Sequence, residues 1–105
     1  MQIIDTFASI NELKVEIKQV EKISKALADP TRLKILLDMY KRKGCIQCSE
    51  IMNITNLAQP SVSHHIKTLI EAGLIEAEKD GRNHSYHLNQ NLLKAYSNWI
   101  NEVAG

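Results

Sequence analysis

Two cysteines stand three positions apart, in the segment Cys45-Ile46-Gln47-Cys48. A Cys-x-x-Cys pair can close a reversible disulfide or supply half of a zinc site, and a thiol at the start of a helix can become more acidic. The sequence contains no second cysteine pair, so a metal ion here would need further ligands, for example from a second subunit. Three interpretations stay open for Cys45 and Cys48: a redox switch with a reversible disulfide, a metal site, and plain packing of two small apolar side chains.

All four histidines fall between residues 64 and 87. His64 and His65 are neighbours on a predicted helix and diverge by about 100°, whereas His84 and His87 point to opposite faces of a regular strand. Neither pair can easily chelate one ion, and we predict no metal site made from histidine alone. With ordinary pKa values near about 6.5, the imidazoles would instead add positive charge to this region on mild acidification.

The helix predicted from Gln59 onwards has a polar face suited to DNA. Its inward side is formed by four aliphatic residues, Val62, Ile66, Leu69 and Ile70. Its outward side carries no carboxylate before Glu71, which a phosphate-lined groove favours. The alternative is that Gln59 and Ser61 only cap the helix. The residues predicted to contact DNA are Gln59, Ser61, Ser63, His64, His65 and Lys67 on this helix and Arg82 and His84 after it.

The elements around this helix predict a winged helix-turn-helix fold, mainly α with a small β-hairpin. A short helix over about residues 49–54 and a break at Thr55-Asn56 precede it, as in a helix-turn-helix. Ala72-Gly73 ends it. Strands over residues 74–79 and 84–88 then surround an Asp80-Gly81 turn, which is typical of a hairpin. This hairpin is the predicted wing.

Helices are also predicted on both sides of this core. Asp29-Pro30 suits the start of a helix that ends near Lys41-Arg42-Lys43-Gly44. Its terminal cations fit either phosphate contacts or the helix dipole. Residues 10–28 place apolar side chains at alternating three-and-four spacing, which suits either core packing or dimerisation. Residues 90–104 carry an aromatic-rich stripe that favours pairing with a second subunit: Leu92, Tyr96, Trp99 and Val103.

Length and composition place limits on function. The 105 residues suit one domain, and the net charge of +1 means that DNA affinity must come from local charge placement and from dimerisation. The sequence shows no signal peptide and no apolar run of membrane-spanning length, and two cysteines are too few for a disulfide scaffold. We expect a cytoplasmic protein without membrane partners. No acid–base constellation indicates an enzyme.

The segments ALADPTRLKILL, SEI and AQPSVSHHIKTLIEAGLIEAEKDGRNHSYHL together resemble the ArsR/SmtB family of small bacterial repressors. The resemblance covers about residues 26–88. It implies a homodimer that sits on an operator and leaves it when an inducer binds. It also implies that residues 59–67 are the recognition helix and that the first and last helices form the dimer interface.

The sequence departs from the family at both of its metal sites. The arsenic-type site of the family is a Cys-x-Cys ahead of an acidic-Leu pair, whereas Cys45 and Cys48 differ in spacing and phase. The other family site uses Asp and His on the last helix, which here has no histidine and Glu102 as its only acid. The resemblance therefore does not identify the inducer.

The leading hypothesis is a homodimeric repressor that binds a palindromic operator in double-stranded DNA and is released by a thiol or metal signal. It is a single domain over residues 1–105, with dimerisation helices at 10–28 and 90–104 around a winged helix-turn-helix core at 30–88. A winged-helix interaction module without DNA binding is the alternative, and the near-neutral charge keeps it open. A thiol oxidoreductase is disfavoured, because no βαβ pattern surrounds the cysteines.

Overall fold

The computed structural model describes residues 15–81 and 83–105. Five helices and three strands follow one another: α1 (Ile17–Leu27), α2 (Pro30–Lys41), β1 (Cys45–Gln47), α3 (Cys48–Thr55), α4 (Gln59–Glu71), β2 (Ile75–Asp80), β3 (Asn83–Leu88) and α5 (Gln90–Ala104). The predicted fold class, mainly helical with a small sheet, is confirmed. The predicted helical turns before residue 15 lie outside the described residues. None of the described helices is long and apolar enough to cross a membrane.

The corner between α1 and α2 follows the predicted capping pattern. Asp29 has extended backbone angles, and its Oδ2 accepts a hydrogen bond of 2.9 Å from the Arg32 amide. Pro30 occupies the first helical position, where its missing N–H costs nothing. This cap fixes where α2 begins and therefore how the Arg32 side chain is presented.

The connection from α2 to α3 contains a strand that the sequence did not reveal. Lys43 and Gly44 adopt positive φ angles of 63° and 90°, which turn the chain out of α2 and into β1. Arg42 donates to Asp38 at 2.7 Å and pairs with Glu50. The Arg42 side chain therefore joins the end of α2 to the start of α3.

The sheet has the strand order β1-β3-β2 and is antiparallel throughout. The β2–β3 hairpin agrees with the predicted wing to within one residue at each strand end. Ile46, Ala77 and Tyr86 face each other across the three strands, and buried Ile46 marks this as the side towards the helices. The opposite face of the sheet, called the outer sheet face below, carries Cys45, Gln47, Glu76, Glu78, Ser85 and His87.

The core lies between α1, α2, α3, α4 and the inner side of the sheet. Its fully buried side chains include Ile23, Ile35, Met39, Ile51, Val62, Leu69 and Leu74. Several residues predicted on apolar stripes are exposed in the single chain, including Ile17 at 72% and Ile70 at 38%. On α1 the buried residues are Val20, Ile23 and Ala26. The apolar face of α1 is therefore rotated away from Ile17 and packs in its own domain.

Candidate nucleic-acid interface

The polar face of α4 points to solvent as its sequence predicted. Val62, Ile66 and Leu69 pack inward. The exposed polar side chains that α4 presents before Glu71, called the outer α4 face below, are those of Gln59, Ser61, Ser63, His64 and Lys67. The first carboxylate of the helix is Glu71, its last residue. This side of α4 therefore offers hydrogen-bonding groups and positive charge to a ligand without a nearby acid.

The first turn of α4 is closed by backbone hydrogen bonds rather than by a side-chain cap. Ala58 precedes the helix and has no side chain that could cap it. The amides of Ser61 and Val62 both donate to the Ala58 carbonyl at 3.1 Å, and Pro60 has no N–H to offer. The side chains of Gln59 and Ser61 therefore extend from a helix end where most backbone amides already donate hydrogen bonds or are absent.

His65 lies at the margin of α4 and turns back into the protein. The His65 side chain is 17% exposed. Its Nδ1 is 3.1 Å from an Arg32 guanidinium nitrogen and 3.8 Å from Asp29 Oδ2. The neighbouring His64 ring is exposed, with its centroid 5.9 Å from that of His65. The two adjacent imidazoles therefore stand in different surroundings.

The Asp29 carboxylate belongs to the same corner. The hydrogen bond from the Arg32 backbone amide is the main cause that holds the pKa of Asp29 below its ordinary value of 3.8, and the partial desolvation of the group opposes it. The positive charge of Arg32 lowers this pKa further, and a protonated His65 would add to that effect. Asp29 is therefore ionised over the physiological range.

The wing presents a small basic pair beside its turn. Lys79 of β2 and His84 of β3 are direct cross-strand partners, and both are exposed. Lys79 was not among the residues predicted to contact DNA, because the sequence alone did not fix the register that sets it beside His84. Arg82, predicted at the tip, lies outside the described residues.

The outer sheet face has the opposite character. Glu76 lies directly opposite His87, and Glu78 lies against His87 Nε2 from a diagonal position. This nitrogen is shielded from solvent, but its contact with the carboxylate is not aligned as a hydrogen bond. Two glutamates on one face would repel a phosphate backbone, so this side of the wing does not suit DNA.

Comparisons with known proteins identify the family. The sequence pattern described as bacterial regulatory protein, arsR family, matches residues 29–77. An arsenical resistance operon repressor of Staphylococcus xylosus is 36% identical over 76 residues, which are 72% of this chain and 71% of the relative. The transcriptional repressor SdpR of Bacillus subtilis is 36% identical over 81 residues, which are 77% of this chain and 88% of the relative. The chain belongs to the ArsR family.

Solved structures agree with this assignment. The crystal structure of an ArsR family transcriptional regulator matches with a TM-score of 0.76 at 29% identity, over 88% of this chain and 93% of that one. The solution structure of a homodimeric winged helix-turn-helix DNA-binding domain from Mycobacterium bovis matches with a TM-score of 0.67 at 26% identity, over 84% and 80%. The ArsR-family chain is therefore a winged helix-turn-helix transcriptional regulator and not an enzyme. None of these relatives favours an interaction module without DNA binding.

The two cysteines of this ArsR-family regulator have different surroundings. Both are free and half-buried. Cys45 lies on the outer sheet face opposite His87, whereas Cys48 begins α3 and packs against the core. Burial raises the pKa of Tyr86, and the nearby Cys48 adds to that rise. Within residues 15–81 and 83–105, no group of three or more His, Cys, Asp or Glu side chains is placed to hold a metal ion.

Besides Lys79, sequence reasoning missed Arg32, which contacts His65. Arg32 was part of the segment that resembles the family, but nothing gave it a role. Its only local signal is its place three residues after the Asp29 cap. Its contact with His65 spans 33 positions along the chain, so helical periodicity could not reveal it.

Proposed function

We propose that this ArsR-family regulator is a homodimeric repressor that binds a palindromic operator in double-stranded DNA. The observation that carries the proposal is the outer α4 face, which is exposed, polar and free of acid up to Glu71. A helix of this kind fits the major groove of B-DNA, where Gln can pair with adenine and Ser with several base edges. Lys67 is suited to a phosphate.

The charges on the wing also favour DNA binding on the side of the protein that carries α4. Lys79 and His84 put two groups that can carry positive charge on one side of the hairpin, while Glu76 and Glu78 stay on the outer sheet face. A duplex that receives α4 in its major groove would therefore meet the Lys79 side of the wing. Arg82 belongs to this DNA-contact set as a proposal from the sequence.

Dimerisation is supported by apolar side chains that the single chain leaves uncovered. On α5, Leu92 and Ala95 are buried in the chain's own core, but Ile100 is 43% exposed and Val103 is 68% exposed. The Mycobacterium bovis neighbour is homodimeric. A symmetric pair would place two α4 helices about 34 Å apart, one turn of DNA, and so select a palindrome.

The test is a binding titration of the full chain with the DNA upstream of its own gene, against a scrambled duplex of equal length. Because the net charge is only +1, specific binding must rest on a few placed contacts. We expect saturable binding to the upstream DNA. The logarithm of the association constant should fall linearly with the logarithm of the salt concentration. Equal affinity for both duplexes at every salt concentration would refute an operator-binding repressor.

The release signal is proposed to act on Cys45 and Cys48, in a cytoplasmic setting. Oxidation would join the two thiols in a disulfide and pass two electrons and two protons to a hydroperoxide-class oxidant. A disulfide between β1 and the first residue of α3 would shift α3, which packs beside α4. A metal ion shared between subunits is the alternative signal. If the Cys45→Ser/Cys48→Ser double variant is released by oxidant as readily as the wild type, the thiol proposal is wrong.

A further inference from the structure

We propose that Arg32 and His65 form an internal clamp that positions α4, so that His65 orients the recognition helix instead of contacting DNA. The inference rests on the proposed operator binding, which supplies the function that the clamp serves. It assigns different tasks to two histidines that are adjacent in the sequence. His64 belongs to the outer α4 face, and His65 to the interior corner.

Arg32 reaches three acceptors from one guanidinium group. Its Nε donates to the Ala26 carbonyl at 2.7 Å, and a terminal nitrogen donates to the Lys25 carbonyl at 3.3 Å. These carbonyls belong to the last turn of α1, where a helix leaves acceptors without intrahelical partners. The second terminal nitrogen meets His65 Nδ1 at 3.1 Å. The guanidinium therefore joins the end of α1 to the middle of α4.

The geometry also fixes the protonation state that the contact requires. A guanidinium can only donate hydrogen bonds. His65 Nδ1 must therefore accept, which places the imidazole proton on Nε2 and leaves the ring neutral. A protonated His65 would put a second cation next to Arg32. The neutral ring has one acceptor nitrogen, Nδ1, and the hydrogen bond from Arg32 occupies it.

The Arg32–His65 contact fixes the rotation of α4, which apolar packing alone does not fix. Val62, Ile66 and Leu69 hold α4 to the core, but apolar contacts tolerate small rotations and slides of a helix. Among the described side chains, the hydrogen bond of α4 with α2 is that of His65 with Arg32. Asp29 in turn caps α2 through the Arg32 amide. One corner thus fixes the start of α2, the end of α1 and the rotation of α4.

The variants are chosen to separate a clamp from a DNA contact. Arg32→Lys keeps the charge but loses the planar fork, and Arg32→Gln removes the charge. His65→Leu removes the acceptor, whereas His65→Asn keeps an acceptor near the position of Nδ1. His64→Ala is the matched control for a residue that reads DNA. Each full-length variant is titrated with the upstream DNA and with a scrambled duplex, and its thermal unfolding is recorded.

We expect Arg32→Lys and His65→Leu each to lower the ratio of specific to non-specific affinity about tenfold, a size set by a hydrogen bond to a charged group. Combining them should cost no more than one alone, because they break the same contact. His65→Asn should restore most of the loss. Arg32→Gln should leave the salt dependence of binding unchanged, since a lost phosphate contact would reduce the slope by about one.

Opposite results would overturn the clamp: additive losses, His65→Asn as weak as His65→Leu, or a salt slope that falls by about one in Arg32→Gln. A readout without DNA separates this failure from failure of operator binding. Nitrogen-15 NMR of the free protein should show His65 Nδ1 unprotonated, with a shift that changes in Arg32→Lys. If the wild type binds no upstream DNA, the proposed function fails. The clamp is then judged by this spectrum alone, and a protonated Nδ1 refutes it.

Discussion

At the scale of single residues, surroundings decide what a side chain can do. His64 and His65 have the same chemistry and adjacent positions, yet one ring is exposed and the other meets Arg32. Helical periodicity indicated only that the two rings diverge by about 100°. It could not distinguish a margin that faces DNA from one that faces α2, because the deciding partner lies 33 positions earlier. Direct DNA contact by His65 therefore stays a prediction that competes with the clamp.

Asp29 gives a residue-scale prediction about acid stability. Its pKa is held below the ordinary value in the folded protein, so its contribution to folding is present above the unfolded pKa and is lost as the pH falls through the folded one. Asp29→Ala should lower the free energy of unfolding by about 1 kcal/mol at neutral pH through loss of the cap. Urea unfolding between neutral pH and the acid range measures this.

Asp29→Asn is the matched variant, since Asn caps helices as well as Asp does but does not titrate. It should keep most of the stability at neutral pH and lose less of it on acidification than the wild type does. If both proteins lose stability equally over the acid range, Asp29 does not carry the effect.

At the scale of elements, α3 and α4 end at residue types that tolerate positive φ. Asn56 at 56° closes α3, and Gly73 at 80° follows α4. The Gly73 amide donates to the Ile70 carbonyl and the Leu74 amide to the Leu69 carbonyl, which satisfies the last carbonyls of α4. Such signals are local, so the helix-turn-helix and the end of α4 could be predicted from the sequence.

Gly73 gives the element-scale prediction. A Cβ at this position would meet Leu92 Cδ2 at 3.1 Å and would sit on a backbone with φ of +80°. Gly73→Ala should lower the free energy of unfolding by about 1–2 kcal/mol from backbone strain alone, with a further loss from the contact with α5. Gly81→Ala is the control, because its φ is +63° but no atom lies within 4 Å. Equal losses in chemical denaturation would show that the Leu92 contact is unimportant.

Strand β1 could not be predicted from the sequence. Its three residues are too few to display alternation, and only Ile46 is buried. Its partner strand lies about 40 residues later, as the pairing of Cys45 with His87 shows. The β2–β3 hairpin was visible because Asp80-Gly81 is a local turn signal. Ile17 on the α1 stripe stays exposed in the single chain, and spacing alone did not reveal which flank of the stripe meets the core.

At the scale of the whole molecule, the exposed apolar end of α5 belongs to the proposed dimer. A charge at Val103, which is 68% exposed in the single chain, would be tolerated by a monomer and would oppose a buried interface. Val103→Asp should therefore shift the protein from dimer to monomer in sedimentation velocity and weaken operator binding. Ser97→Asp, on an exposed site of the same helix, is the control. If Val103→Asp remains a dimer, this end of α5 does not belong to the interface.

We propose that the outer α4 face selects the operator. The most direct measurement is the affinity of Gln59→Ala and His64→Ala for upstream DNA and for a scrambled duplex, with Ser97→Ala as the control. We predict that each α4 variant loses about 1–3 kcal/mol of specific binding, as expected for base contacts, while non-specific affinity and the control stay unchanged. If both α4 variants bind the operator as tightly as the wild type, the outer α4 face does not read DNA.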